Sequence, residues 1–138
     1  MTRPAPLRTL LLVDDEPNIL ESTRFILVSE GFRVLVASDG EEALAVMRRE
    51  HPPVVLLDVM MPKLDGYDVC RRIRAEPSLA GTYVIMLTAR GQPGDVQAAV
   101  AAGADAHFRK PFDDDTMMRE LAKAFGRPGA GGLVPSLG

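Results

Sequence analysis

Five side chains in this sequence suit one kind of chemistry: Asp14, Asp15, Asp58, Thr88 and Lys110. Carboxylates offer hard oxygen ligands, lysine a compact positive charge and threonine a hydroxyl donor. Three carboxylates brought together repel one another, and a proton or a cation relieves that repulsion. Oxygen-only donors with high negative charge suit a hard divalent ion, Mg²⁺ above others. A lysine and a hydroxyl beside them can serve phosphoryl oxygens. A carboxylate in such a set can itself be the nucleophile and carry an aspartyl-phosphate. Phosphoryl transfer mainly needs alignment and charge neutralisation, which metal and lysine together supply. No cluster of His and Cys has zinc-ligand spacing.

Taken singly, each residue has a plainer use. An aspartate caps a helix or turns a loop, Thr88 suits a strand, and Pro111 breaks a loop. His51 reads as a solvated helix end, and Cys70 as a small, partly buried hydrophobe. What sets the five apart is where the elements put them.

Val54-Val55-Leu56-Leu57 runs directly into Asp58, with Pro62 close behind. A short apolar run bounded by turn signals reads as a strand buried on both faces. Leu10–Val13 ends in Asp14 and Asp15 in the same way. Further strands are expected at Arg33–Ala37, Tyr83–Leu87 and Ala106–Arg109, ending in Ser38, Thr88 and Lys110. Between them the pattern predicts helices to about Glu30, from the Ser38-Asp39-Gly40 turn to about Glu50, Tyr67 to about Ala75, an alanine-rich one to about Ala102, and a last one to about Phe125. The first helix should turn Ile19, Leu20, Thr23, Ile26 and Leu27 inward. The last should bury Met118, Leu121, Ala122 and Phe125 and expose Met117 as a partner contact. Strand and helix alternate five times, which predicts a doubly wound parallel α/β sheet with right-handed crossovers. All the polar strand ends then fall on one rim, where such sheets bind ligands.

The totals fit one domain of this class. The chain has 138 residues, 46% apolar and 25% charged, with a net charge of −3. No basic field points to nucleic acid or an anionic membrane. One cysteine excludes an intrachain disulfide, which fits a reducing cytoplasm. No apolar run approaches the roughly 20 residues of a spanning helix, and Leu10–Val13 is too short for a signal-peptide core. Residues 1–7 read as a flexible arm and 8–125 as the domain. Residues 126–138, with seven Gly or Pro in thirteen, read as a linker or disordered tail.

The motifs, taken in order, resemble the receiver domain of two-component response regulators over residues 8 to 125. They are Val13-Asp14-Asp15-Glu16, Leu57-Asp58-Val59-Met60-Met61-Pro62 with Asp65-Gly66, Thr88-Ala89, Gly103-Ala104-Asp105-Ala106, and Lys110-Pro111-Phe112. The resemblance implies a flavodoxin-like (βα)5 fold with strand order 2-1-3-4-5. It implies that Asp58 accepts a phosphoryl group from a sensor histidine kinase or histidine phosphotransfer protein. It implies Mg²⁺ held by Asp15, Asp58 and the Met60 backbone carbonyl, with Asp14 acting through water. Lys110 would pair with a phosphoryl oxygen, and Thr88 would donate its hydroxyl to another. Lys110–Pro111 would be a cis peptide. Met60 and Arg90 would tune the phosphoryl lifetime. The switch aromatic, usually Tyr or Phe in this family, falls on His107, which would rotate inward as Thr88 moves. Output would pass through the face of the fourth helix (Gln92–Ala102), the fifth strand and the last helix to a downstream protein or a second copy of the chain. The expectation is a phosphorelay switch with self-catalysed phosphorylation and dephosphorylation, without nucleic-acid or membrane contact.

Two other classes fit these residues less well. An aspartate-dependent phosphatase usually has a second aspartate two residues after its nucleophile; here that position is Met60. A flavodoxin needs small polar residues after its first strand to cradle a phosphate; Leu12-Val13-Asp14-Asp15 has the wrong charge.

Overall fold

The structure is a computed structural model, and it describes residues 8–88, 94–110 and 112–126. Ten elements alternate: β1 (Arg8–Val13), α1 (Pro17–Ser29), β2 (Phe32–Ala37), α2 (Gly40–Glu50), β3 (Val54–Asp58), α3 (Gly66–Ala75), β4 (Tyr83–Thr88), α4 (Asp95–Ala102), β5 (Ala106–Arg109) and α5 (Asp114–Gly126). The strands form one sheet in the order β2-β1-β3-β4-β5, and every neighbouring pair is parallel. This is the expected order. Apart from the start of α4, elements begin and end within about two residues of the expected bounds, the usual scatter of helix and strand ends.

Side-chain alternation explains the continuous apolar runs Leu10–Val13 in β1, Val54–Leu57 in β3 and Val84–Leu87 in β4. Leu11, Val13, Val55, Leu57, Val84 and Met86 point to one face, under α2, α3 and α4. Leu10, Leu12, Val54, Leu56, Ile85 and Leu87 point to the other, under α1 and α5. A period of two sends successive residues to opposite faces, so a strand covered on both sides must be apolar at every position. β3 is the central strand, and all five of its residues are buried.

Three of the helices, α2, α3 and α5, start where an aspartate side chain satisfies a free amide. Asp39 accepts from the Glu42 amide at 2.7 Å. Asp65 accepts from the Asp68 amide at 2.9 Å and Asp68 answers the Asp65 amide at 3.3 Å, a reciprocal capping box. Asp113 caps α5 by accepting from the Thr116 amide at 2.8 Å. Gly103 ends α4 at φ +97°, a backbone conformation that costs a residue with a Cβ.

The burial of four residues differs from expectation. Met117 is buried at 1% exposure, so it marks no partner contact; Ala122 is exposed instead. The inward stripe of α5 is Met117, Leu121, Ala124 and Phe125. Adjacent methionines at 117 and 118 make two stripes one residue apart equally apolar. Leu121 and Phe125 are common to both, Phe125 packing against Phe32 at 5.6 Å between ring centroids, and Met117 and Ala124 rather than Ala122 complete the buried face. Ile19 is 39% exposed, because it lies at the rim of a groove between α1 and α5. Cys70 is fully rather than partly buried.

Candidate functional site

β1, β3, β4 and β5 end on the same rim, and register fixes their heights. Val13 lies beside Leu57, Asp58 beside Leu87, and Thr88 beside Arg109. Each strand therefore delivers its polar residue at or just past the last rung. Asp14, Asp15 and Asp58 each offer an oxygen, and the three oxygens lie within 4.8 Å of one another. Asp14 and Asp58 are buried while Asp15 is exposed, so the cluster opens to solvent on one side.

Lys110 reaches into this cluster from the end of β5. Its Nζ donates to Asp14 Oδ2 at 2.9 Å and stands 3.2 Å from Asp58 Oδ1. The lysine backbone is pinned as well, its amide donating to the Thr88 carbonyl at 2.9 Å. Asp14 Oδ1 accepts from the Glu16 amide at 2.9 Å. Thr88 is buried at the end of β4. The sequence placed Lys110 on the rim; its pairing with Asp14 as well as Asp58 is a feature of the fold that strand patterns do not encode.

Electrostatics follow from this geometry. Burial pushes the Asp58 carboxyl up from its ordinary value, and Asp14 adds to the lift. Lys110 and the backbone amide of Met60 pull it back. Burial opposes the charge on Lys110, but the bond to Asp14 and the nearby Asp58 charge outweigh it and raise its pKa. Three carboxylates facing one ammonium leave the pocket short of positive charge. Hard oxygen donors in that imbalance fit a divalent cation of the Mg²⁺ kind.

The loop after Asp58 is shaped from both sides. Met60 is exposed there. The Gly66 amide donates to the Val59 carbonyl at 3.0 Å. A Cβ on Gly66 would stand 2.6 Å from the Asp58 carbonyl oxygen, so only glycine allows α3 to start this close to β3. Lys63 holds φ +66° in the same loop. His107 is half-buried on β5 beside Met86. Residues 89–93 and 111 fall outside the described residues, and with them Arg90, the start of the expected fourth helix at Gln92, and the Lys110–Pro111 peptide. The same holds for the arm 1–7 and for 127–138 of the tail.

The sequence model of the response regulator receiver domain matches residues 10–122. Among relatives, the DNA-binding response regulator MtrA of Mycolicibacterium smegmatis is 42% identical over 103 residues, covering 75% of this chain and 44% of the relative. The chain spans about half the length of the curated relatives it matches. Among solved structures, the receiver domain of a sensor histidine kinase from Pseudomonas aeruginosa has a magnesium ion coordinated in its active site cleft. It superimposes with a TM-score of 0.82 at 32% identity, covering 88% of this chain and 99% of that one. A response regulator receiver domain protein from Clostridium thermocellum gives 0.77 at 33% identity, covering 86% and 94%.

Proposed function

This chain belongs to the response regulator receiver family, and from that premise we propose that Asp58 is its phosphoacceptor and the rim around it a phosphorylation-driven switch. The observation that carries the proposal is the convergence of Asp14, Asp15 and Asp58 on one another, with Lys110 paired to Asp14 and Asp58. A carboxylate oxygen of Asp58 attacks the phosphorus of the donor. The bond from phosphorus to the donor's nitrogen or oxygen breaks, and the leaving group keeps its electron pair. Asp15, Asp58 and the Met60 carbonyl would hold Mg²⁺, with Asp14 acting through water. That ion supplies charge neutralisation to the phosphoryl oxygens when bound.

Lys110 then exchanges its carboxylate partners for a phosphoryl oxygen, and Thr88 donates its hydroxyl to another. His107 follows Thr88 inward and carries the change to the face of α4, β5 and α5. A phosphate-mimic structure with that face changed and His107 unmoved would refute this step. Met60 and Arg90 act on the phosphoryl lifetime, and the phosphorylation and its reversal are self-catalysed. The donor class is a sensor histidine kinase or a histidine phosphotransfer protein. The output is a protein surface, either a downstream partner or a second copy of the chain. With a net charge of −3 this chain makes no nucleic-acid contact of its own. Among the described residues no helix is long and apolar enough to cross a membrane, in keeping with a cytoplasmic site of action.

Intact-mass spectrometry after incubation with Mg²⁺ and acetyl phosphate tests the core of this. One phosphoryl adduct is expected on the wild type, and none without Mg²⁺ or on Asp58→Asn. An adduct that survives in Asp58→Asn would move the acceptor elsewhere. No adduct and no beryllofluoride binding by the wild type would sink the proposal.

A further inference from the structure

Outside the acidic pocket, a side-chain contact joins the starts of α3 and α4. The Tyr67 hydroxyl donates to Asp95 Oδ1 at 3.2 Å. The other carboxylate oxygen, Oδ2, is buried and has no hydrogen-bond partner among the described residues. A charge held this way is half satisfied, and such a group gains hydration if its segment swings outward. At the far end of α4, Arg74 Nε donates to the Gly103 carbonyl at 2.8 Å. Tyr67 and Arg74 are seven residues apart on α3, two turns, and so share one face.

The two anchors differ in strength. Arg74 also bonds the Thr82 carbonyl at 2.6 Å and Asp105 Oδ2 at 2.7 Å, so its guanidinium is held from several sides. Tyr67 holds Asp95 by one bond. Between the anchors α4 has only eight residues, VQAAVA flanked by Asp95 and Ala102, and Val100 on its outer side is 66% exposed. Little apolar burial fixes the N-terminal half of this helix. Tyr67 also sits directly after Gly66, which packs against the Asp58 carbonyl.

We infer that Tyr67 is a positioning residue: its bond to Asp95 holds the start of α4 in the arrangement seen here, and α4 pivots about its Arg74-anchored end when that bond opens. The trigger rests on the proposed phosphorylation of Asp58. Linkage then gives the sign. A ligand that favours the pivoted arrangement must work against the bond, so removing the bond helps the ligand.

The test is Tyr67→Phe, which deletes one hydroxyl and keeps the ring. Mg²⁺ with beryllofluoride serves as the phosphoryl mimic, titrated by NMR. The apparent affinity should tighten by about fivefold, the equivalent of one ordinary hydrogen bond. In the free protein, amide exchange at Ala98 and Ala99, the first amides bonded within α4, should quicken while Ala102 and Gly103 hold. Asp95→Ala should reproduce both effects. Unchanged or weaker beryllofluoride binding by Tyr67→Phe, or exchange that quickens along the whole helix, would overturn the inference. A wild type that binds no beryllofluoride would count against the pocket instead, and amide exchange in the free variants would then decide the anchor by itself.

Discussion

Asp58 carries a conflict that shapes the pocket. It is buried at the end of the central strand, yet it must keep a charge to serve as the proposed phosphoacceptor. Burial and Asp14 lift its pKa above the ordinary 3.8, so the folded state holds this proton more tightly than the unfolded chain does. The stability contributed by protonated Asp58 is therefore present in full below pH 3.8 and is lost as pH rises through the folded-state value. At neutral pH the ionised side chain is a net cost, which Lys110 only partly offsets. Asp58→Asn should thus stabilise the protein by about 1 kcal/mol, or roughly 3–5 °C in Tm for a domain of this size. The gain should shrink as pH falls into the carboxylate range. Mg²⁺ should raise the wild-type Tm and do so far less in the variant. Calorimetry over pH with and without Mg²⁺ checks all three, and a destabilised Asp58→Asn would show that the carboxylate is a net structural asset. Its place at the end of β3 was legible from sequence, because a short apolar run stopped by a carboxylate and followed by Pro62 reads as a buried strand. Its partner geometry was not, since a hydrogen bond from Lys110 to Asp14, 96 positions away, leaves no periodic trace.

At the scale of elements, the strands were legible and the faces of the helices less so. A doubly covered strand must be apolar throughout, and that demand is written in every residue of β3. A helix needs only a stripe, and neighbouring apolar residues permit more than one. Met117 and Met118 show this in α5, as does exposed Ile19 in α1. Long polar side chains that tie elements together are equally silent in sequence. Arg74 binds the carbonyls of Gly103, Ala80 and Thr82 and pairs with Asp105, so one α3 residue joins the turn before β4 to the turn before β5. Asp105 in turn accepts from the Val84 amide at 2.9 Å, at the start of β4. The Asp105 side chain is 39% exposed, so the ion pair itself is screened and worth little. The carbonyl bonds matter more, because truncation leaves them partly buried without a donor. Arg74→Ala should cost about 2 kcal/mol, seen as a lower urea midpoint at unchanged slope. Arg74→Lys should recover only part of that, since an ammonium cannot span the same carbonyls from one fixed plane. A loss below about 0.5 kcal/mol, the scale of an ordinary surface change, would mean that water replaces the guanidinium at no cost.

The whole molecule is covered on both faces of its sheet, and Cys70 reports on how firmly. The thiol is fully buried on α3, in the core cluster beneath α2, α3 and α4. Burial there pushes its pKa from 9.0 to about 11, with nearby Asp105 adding to the lift and Arg74 and Arg71 opposing it. An unfolded chain ionises this thiol near the ordinary value, whereas the folded one keeps the proton. The stability tied to that proton is complete below pH 9.0 and fades as pH rises towards 11. A rise from 9.0 to about 11 corresponds to roughly 2–3 kcal/mol. Wild type should therefore lose that much more stability than Cys70→Ala between those pH values, a comparison that cancels the titration of tyrosines and lysines common to both. At neutral pH a soluble thiol reagent can reach Cys70 only when the core opens. Labelling should then follow the global unfolding equilibrium, slowing wherever Mg²⁺ stabilises the fold and speeding with urea along the same slope as unfolding itself. Fast labelling that ignores both would mean that α3 opens locally from the sheet. It would also separate the motion of this layer from the stability of the domain, and α4, which leans on α3 through Tyr67 and Arg74, would move with it.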